Sequence, residues 1–174
     1  MKKALLIIDM INKLDFPGGD KLLKQSLPVA SNILKLKNKL KKHKVPVIYV
    51  NDNFGLWKAS WQEVLEACES KECLGTELSQ ILKPEEDDYF VLKPKHSGFY
   101  SSNLEILLSD LKVGELILTG IAGNICVLFT ANDAHMRGYK IHVPKNCIAS
   151  NTKRDNDYAL RQLSEVFGIR IAAL

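Results

Sequence analysis

The chain lacks any apolar run long enough to cross a bilayer, and its first apolar stretch, Ala4 to Ile8, is far shorter than the apolar part of a secretory signal. A soluble, cytoplasmic protein with no membrane partner is the expectation. Cysteine is scarce. Cys68, Cys73, Cys126 and Cys147 are too few and too unevenly placed for a disulfide framework, and none forms a CxxC pair of the zinc kind, so reduced thiols are expected. No GxSxG is present, and His43, His96, His135 and His142 have no evident serine partner, which argues against a serine hydrolase. Gly120 and Gly123 make only half of a dinucleotide-binding glycine pattern, and at the fourth probable strand instead of the first. Internal repeats and low-complexity segments are absent. Charge of one sign is only mildly in excess, at a formal +4. Much of that excess lies between Lys35 and Lys44, where Ile33, Leu36 and Leu40 mark one helical face and lysines the other. No aromatic residue is interleaved there to stack on bases, so a solvated helix surface is expected and nucleic acid is not.

What is present is apolar material for one core: 174 residues, 46% hydrophobic, the size of a single domain spanning 1–174. Strand and helix signals alternate along it. Lys3 to Asp9, Val45 to Val50, Asp88 to Lys93, Leu116 to Thr119, Lys140 to Val143 and Gly168 to Ala172 read as strands. Helices are expected over about Leu27 to Lys42, Trp57 to Glu69, Glu77 to Leu82, Asn103 to Leu111, Asn124 to Gly138 and Arg154 to Phe167, with Asn146 to Thr152 as a loop. The apolar strands look buried on both faces. The alternation therefore predicts an α/β domain of three αβα layers, with a mostly parallel sheet of about six strands covered by helices.

In an open parallel sheet, ligands bind beyond the carboxyl ends of the strands. Three of the expected strands end in Asp9, in Lys93, and in the turn that leads to Cys126. A cysteine taken alone is usually just a small buried apolar residue. Here it falls in the first turn of a helix whose cap is expected to be Asn124, where free N–H groups and the helix dipole make a thiol easier to ionise and could hold an oxyanion. A carboxylate to accept the thiol proton and an ammonium to stabilise the thiolate would complete a nucleophilic site.

These stretches also resemble a known family. LLIIDMIN around Asp9, VLKPKHSGFYSSNL around Lys93 and LTGIAGNICVLFTANDAHMRGYKIHVPKN around Cys126 are similar, in order and spacing, to the three motifs of the isochorismatase-like cysteine hydrolases, which include nicotinamidases and N-carbamoylsarcosine amidohydrolases. The resemblance covers nearly the whole chain. It implies a catalytic triad of Asp9, Lys93 and Cys126, a thiolate attack on an amide, ureido or carbamoyl group, and an acyl-enzyme that water releases. It further implies an oxyanion hole from the Ala122 and Cys126 N–H groups, a cis bond at Ile121–Ala122, and a homo-oligomer. Ile11 stands where these relatives often have glutamine, and Gly123 where they often have threonine. Asp52, Asn53 and Phe54 replace the Asp-x-His pattern by which nicotinamidases bind a metal, so no metal and no cofactor are expected. Other readings are a vinyl ether hydrolase of the isochorismatase type and a non-catalytic binding member of the fold. The substrate would be a small molecule. Its pocket is expected to be walled by Phe16, Trp57, Phe99, Tyr100 and Ile121, carried toward the crevice by the loops after the strands.

Overall fold

In the computed structural model, which describes residues 1–70 and 73–173, six strands form one sheet and every pairing in it is parallel. In chain order the elements are β1 (Lys2–Ile8), α1 (Gly19–Lys41), β2 (Val47–Asp52), α2 (Trp61–Cys68), α3 (Thr76–Ile81), β3 (Tyr89–Lys93), α4 (Leu104–Asp110), β4 (Val113–Ile121), a π-turn (Gly123–Val127), α5 (Leu128–Met136), β5 (Lys140–His142), β6 (Ile148–Ala149) and α6 (Lys153–Arg161), which runs into a second π-turn (Gln162–Val166). The sheet order is β3-β2-β1-β4-β5, and β6 pairs with β4 at Gly120 and Ile121, beyond the point where β5 stops. From β1 the chain builds outward to β2 and β3, then returns to the other side of β1 for β4. Strand order thus reverses between β1 and β4, and at such a point the loops diverge and open a crevice.

Side chains of a strand alternate between faces, and β1 shows what that does in a sheet covered on both sides. Leu5 and Ile7 join one core with Val47, Tyr49, Ile33 and Leu78, beneath α1, α2 and α3. Ala4, Leu6 and Ile8 join the other with Ile48, Val50, Leu108, Ala131 and Leu163, beneath α4, α5 and the second π-turn. Residues Ala4 to Ile8 have no solvent exposure at all.

Several boundaries depart from the expected ones. The first helix begins at Gly19, not near Leu27, and runs through Pro28. A proline inside a helix removes one ladder bond, but the buried residues Leu22, Ser26, Val29 and Ala30 hold the segment against the sheet. β6 lies in what reads as a loop, because a strand of two residues carries no periodicity. The expected last strand is reduced to a bridge between His142 and Arg170. Nor is the lysine-rich face wholly solvated. Lys37 is buried against Tyr49 Oη (3.2 Å) and Asp88 (2.5 Å), and Lys41 pairs with Glu85, Asp87 and Asp88. The acidic turn before β3 supplies charges that the helix pattern alone does not reveal.

Where β1 and β4 end, the two backbones lie so close that only glycine fits. Gly120 has φ of 113°, and a Cβ there would sit 2.0 Å from the Ile8 carbonyl oxygen. Gly120→Ala is expected to cost about 3 kcal/mol, since it combines a forbidden φ with a backbone clash. Urea unfolding checks this, and a loss under about 1 kcal/mol would mean that the strand ends separate more easily than their packing implies.

Candidate active site

Asp9 follows directly on β1 with a positive φ of 52°, a conformation that aspartate tolerates better than most residues. Its backbone N–H donates to Val50 O (3.0 Å), and its Oδ1 accepts from Asp52 N–H (2.8 Å). Asn51, fully buried at the end of β2, clamps the next stretch: its Nδ2 donates to Ile11 O (2.7 Å) and its Oδ1 accepts from Ile11 N–H (3.2 Å). The place where relatives often carry glutamine is therefore held here through backbone, which any side chain can supply.

Lys93 closes β3. Its side chain is fully buried and its Nζ lies 2.8 Å from Asp9 Oδ2, 3.7 Å from Cys126 Sγ and 3.9 Å from Asp52 Oδ2. Cys126 stands in the π-turn that opens α5, so the three strand ends do bring these side chains together. The turn is not capped by Asn124 as expected. It starts at Ala122, whose carbonyl accepts from Ile125 (3.0 Å) and Val127 (3.2 Å). That register skips Cys126, whose N–H in a regular α-turn would bond to this same carbonyl. The Ile121–Ala122 peptide bond is cis. A Cβ at Gly123 would meet Asn156 Oδ1 at 2.7 Å and Ser150 Oγ at 3.0 Å, so a threonine there would require these side chains to shift.

Charge in this dry corner is not arranged as the helix position alone suggests. The Cys126 thiol is pushed far above the ordinary range by burial and then by the Asp9 carboxylate, with Lys93 acting in the opposite direction. The expected easing of ionisation is outweighed. Burial likewise raises Asp9 above its ordinary 3.8, against the lowering effect of Lys93. Burial also disfavours charge on Lys93, yet the neighbouring Asp9 reverses this and holds the ammonium above its usual range. At neutral pH the thiol is therefore held in its neutral form.

Asp9 and Cys126 border a cavity of ≈ 330 Å³. Of the expected wall residues, Phe16 and Ile121 line it. The other three lie elsewhere. Trp57 is 78% exposed and Tyr100 56% exposed, while Phe99 is buried among α4 and α5, its ring 5.9 Å from Tyr139 and 4.8 Å from the Arg137 guanidinium carbon. The reason is the loop after β3: Gly98 N–H donates to Thr130 Oγ1 (2.9 Å) and Ser97 Oγ to Asp133, which turns Phe99 under α5 and away from the crevice. Their places are taken by Leu22, Phe54 and Ile125, with Asn12, Asp15, Asp52, His96 and Asn151 as polar neighbours. Asp52 and Asn151 follow the same strand-end rule as Asp9, at β2 and β6.

A metal of the nicotinamidase kind does not fit these residues. Asp52 Oδ1 already accepts from Phe54 N–H (2.6 Å), Asn53 Oδ1 accepts from Gly55 N–H (3.0 Å), and the His96 ring packs 5.6 Å from that of Phe129. Among the described residues no group of three His, Cys, Asp or Glu side chains could hold an ion, and no helix is long and apolar enough to cross a membrane.

The mostly parallel sheet with helices around it agrees with comparison to known proteins. The isochorismatase domain model matches residues 3–173, and the chain belongs to the isochorismatase family of hydrolases. YaaI, an isochorismatase family protein of Bacillus subtilis (strain 168), is 46% identical over 94% of this chain and 90% of its own. Among solved structures, nicotinamidase PncA from Bacillus subtilis superposes with a TM-score of 0.75 at 26% identity, over 99% of this chain and 100% of that one. N-carbamoylsarcosine amidase from Thermoplasma acidophilum does so with a TM-score of 0.73 at 25% identity, over 99% and 96%.

Proposed function

We propose that the protein hydrolyses a C–N bond of a small amide, ureido or carbamoyl compound by covalent catalysis through Cys126. The observation that carries this reading is the meeting of the Asp9 carboxylate, the Lys93 ammonium and the Cys126 thiol, 2.8 Å and 3.7 Å from the ammonium, at one end of a cavity with apolar walls. The thiol proton passes to Asp9 as sulfur attacks the carbonyl carbon, and the resulting oxyanion takes hydrogen bonds from the Ala122 and Cys126 N–H groups. The C–N bond breaks, the nitrogen leaving with the proton that Asp9 held, and a thioester remains. Water then attacks it, giving a proton to Asp9. The C–S bond breaks, the acid departs, and the proton returns to sulfur. Throughout, Lys93 balances the charge of whichever neighbour is anionic.

A screen of amide, ureido and carbamoyl compounds for ammonia release tests this. Turnover by the native protein and none by Cys126→Ala is the expected outcome; equal release by both would overturn it. Since the residues around Asp52 do not fit a metal, turnover is also expected to survive EDTA treatment and dialysis unchanged. Loss of activity restored by zinc, manganese or iron would show that residues 51–54 bind an ion after all.

A further inference from the structure

The cavity carries an imbalance of charge that speaks to its substrate. Three of its lining residues are carboxylates, Asp9, Asp15 and Asp52, and none is lysine or arginine. Lys93 beneath the floor neutralises Asp9 at 2.8 Å, but its contact with Asp52 is the longest it makes, at 3.9 Å. Asp52 Oδ1 takes the Phe54 N–H, while the side chain as a whole stays 36% exposed. Asp15 is exposed beside Phe16, and among the described residues no cation lies within 4.0 Å of it. A molecule with a formal net charge of +4 thus has a reaction cavity in which negative charge outweighs positive.

From this, and resting on the hydrolase reading above, we infer that the site selects amides whose end remote from the scissile bond is cationic, and that it rejects anionic ones. Depth sets the direction. Asp9 and Cys126 form the floor, Asp9 being only 4% exposed, whereas Asp15 and Phe16 form the lip. A carbonyl held at the thiol therefore directs the other end of a small planar molecule toward the lip and Asp15, while Asp52, 3.9 Å from the Lys93 ammonium, adds negative charge beside the floor. An ionised carboxylate is an acceptor only, so the group that satisfies it must be a donor, and an ammonium or amidinium does so with charge. Apolar walls from Leu22, Phe54, Ile121 and Ile125 reduce screening and strengthen the preference. A dianion such as isochorismate would face like charge at both ends. The product fits the same scheme, because hydrolysis of an amide creates a carboxylate on the floor, which the surrounding charge drives out.

Three matched amides test the inference: meta-(aminomethyl)benzamide as cation, benzamide as neutral, and meta-carbamoylbenzoate as anion. Their dissociation constants are measured by calorimetry on Cys126→Ala, and their kcat/KM by ammonia release from the native protein. The cation is expected to bind roughly tenfold tighter than benzamide and the anion roughly tenfold weaker. Asp15→Asn, at an exposed position away from the reacting atoms, should shrink the spread several-fold, as should high salt. Equal or reversed ranking overturns the inference, as does a ranking that survives both Asp15→Asn and Asp52→Asn, or no binding of the cation at millimolar concentration. The two readings fail separately. Ranked binding without ammonia release sinks the hydrolase reading for this class and keeps the charge selection, whereas unranked ammonia release does the reverse.

Discussion

Asp9→Asn is expected to lower turnover by about 10²–10⁴ while making the Cys126 thiol more acidic. The two effects run in opposite directions for one reason. In the native site the Asp9 carboxylate is, after burial, the main influence that raises the thiol, and Lys93 is the influence that lowers it. Removing the carboxylate charge leaves the ammonium 3.7 Å from sulfur with only the more distant Asp52 to oppose it. The thiolate should then form at lower pH, which its ultraviolet absorbance during a titration would record. Catalysis nevertheless falls, because the asparagine cannot take the proton at attack or return it to the leaving nitrogen. If activity and thiol acidity rose together instead, Cys126 would be working as a preformed thiolate, and Asp9 would be a spectator that holds Lys93. A neutral resting thiol has its own advantage: it is protected from alkylation and oxidation until a carbonyl arrives.

Much of this site could be read from the sequence because its main groups stand at strand ends. Apolar runs such as Ala4 to Ile8 mark where a parallel strand lies, and the residue that follows one is delivered to the ligand edge whatever the helices do. Asp9, Lys93 and the turn of Cys126 follow from that rule, and Asp52 could have been found by it too. The walls could not be read in the same way. Phe16, Trp57, Phe99 and Tyr100 sit in loops, and the direction of a loop side chain depends on tertiary bonds such as Gly98 to Thr130 that leave no periodic trace. Phe99 is turned into a core by residues that lie 30 or more positions further on. The thiol's acidity is not legible in the sequence for a related reason. A helix start is a local feature, and its dipole is worth at most about 2 kcal/mol, less than the desolvation and the adjacent carboxylate that only the folded chain supplies. Lys37 makes the same point: helical periodicity places it among solvated lysines, and Asp88, distant in sequence, draws it inside.

Lys93→Met should destabilise the fold by about 3–5 kcal/mol, and Asp9→Asn/Lys93→Met should recover most of that loss. Lys93 is fully buried and Asp9 4% exposed, so deleting the ammonium leaves a largely desolvated carboxylate without its counter-charge. Deleting both charges removes the cost of desolvating either. The pH dependence follows with a definite sign. Burial, opposed by Lys93, holds the folded Asp9 above its ordinary 3.8, so the folded state binds that proton more tightly than the unfolded chain does. The stability this gives is fully present below 3.8 and is lost as pH rises through the folded value. The fold thus disfavours the ionised form of Asp9, and Lys93 limits that penalty. In Lys93→Met the folded value climbs further, and the loss of stability with rising pH becomes larger and extends to higher pH; in the double variant that contribution vanishes. Urea unfolding of the three proteins at mildly acidic and neutral pH measures this. A Lys93→Met protein as stable as the native one at neutral pH would mean that Asp9 is already protonated there, and the carboxylate would then have to be dismissed as the proton acceptor for Cys126.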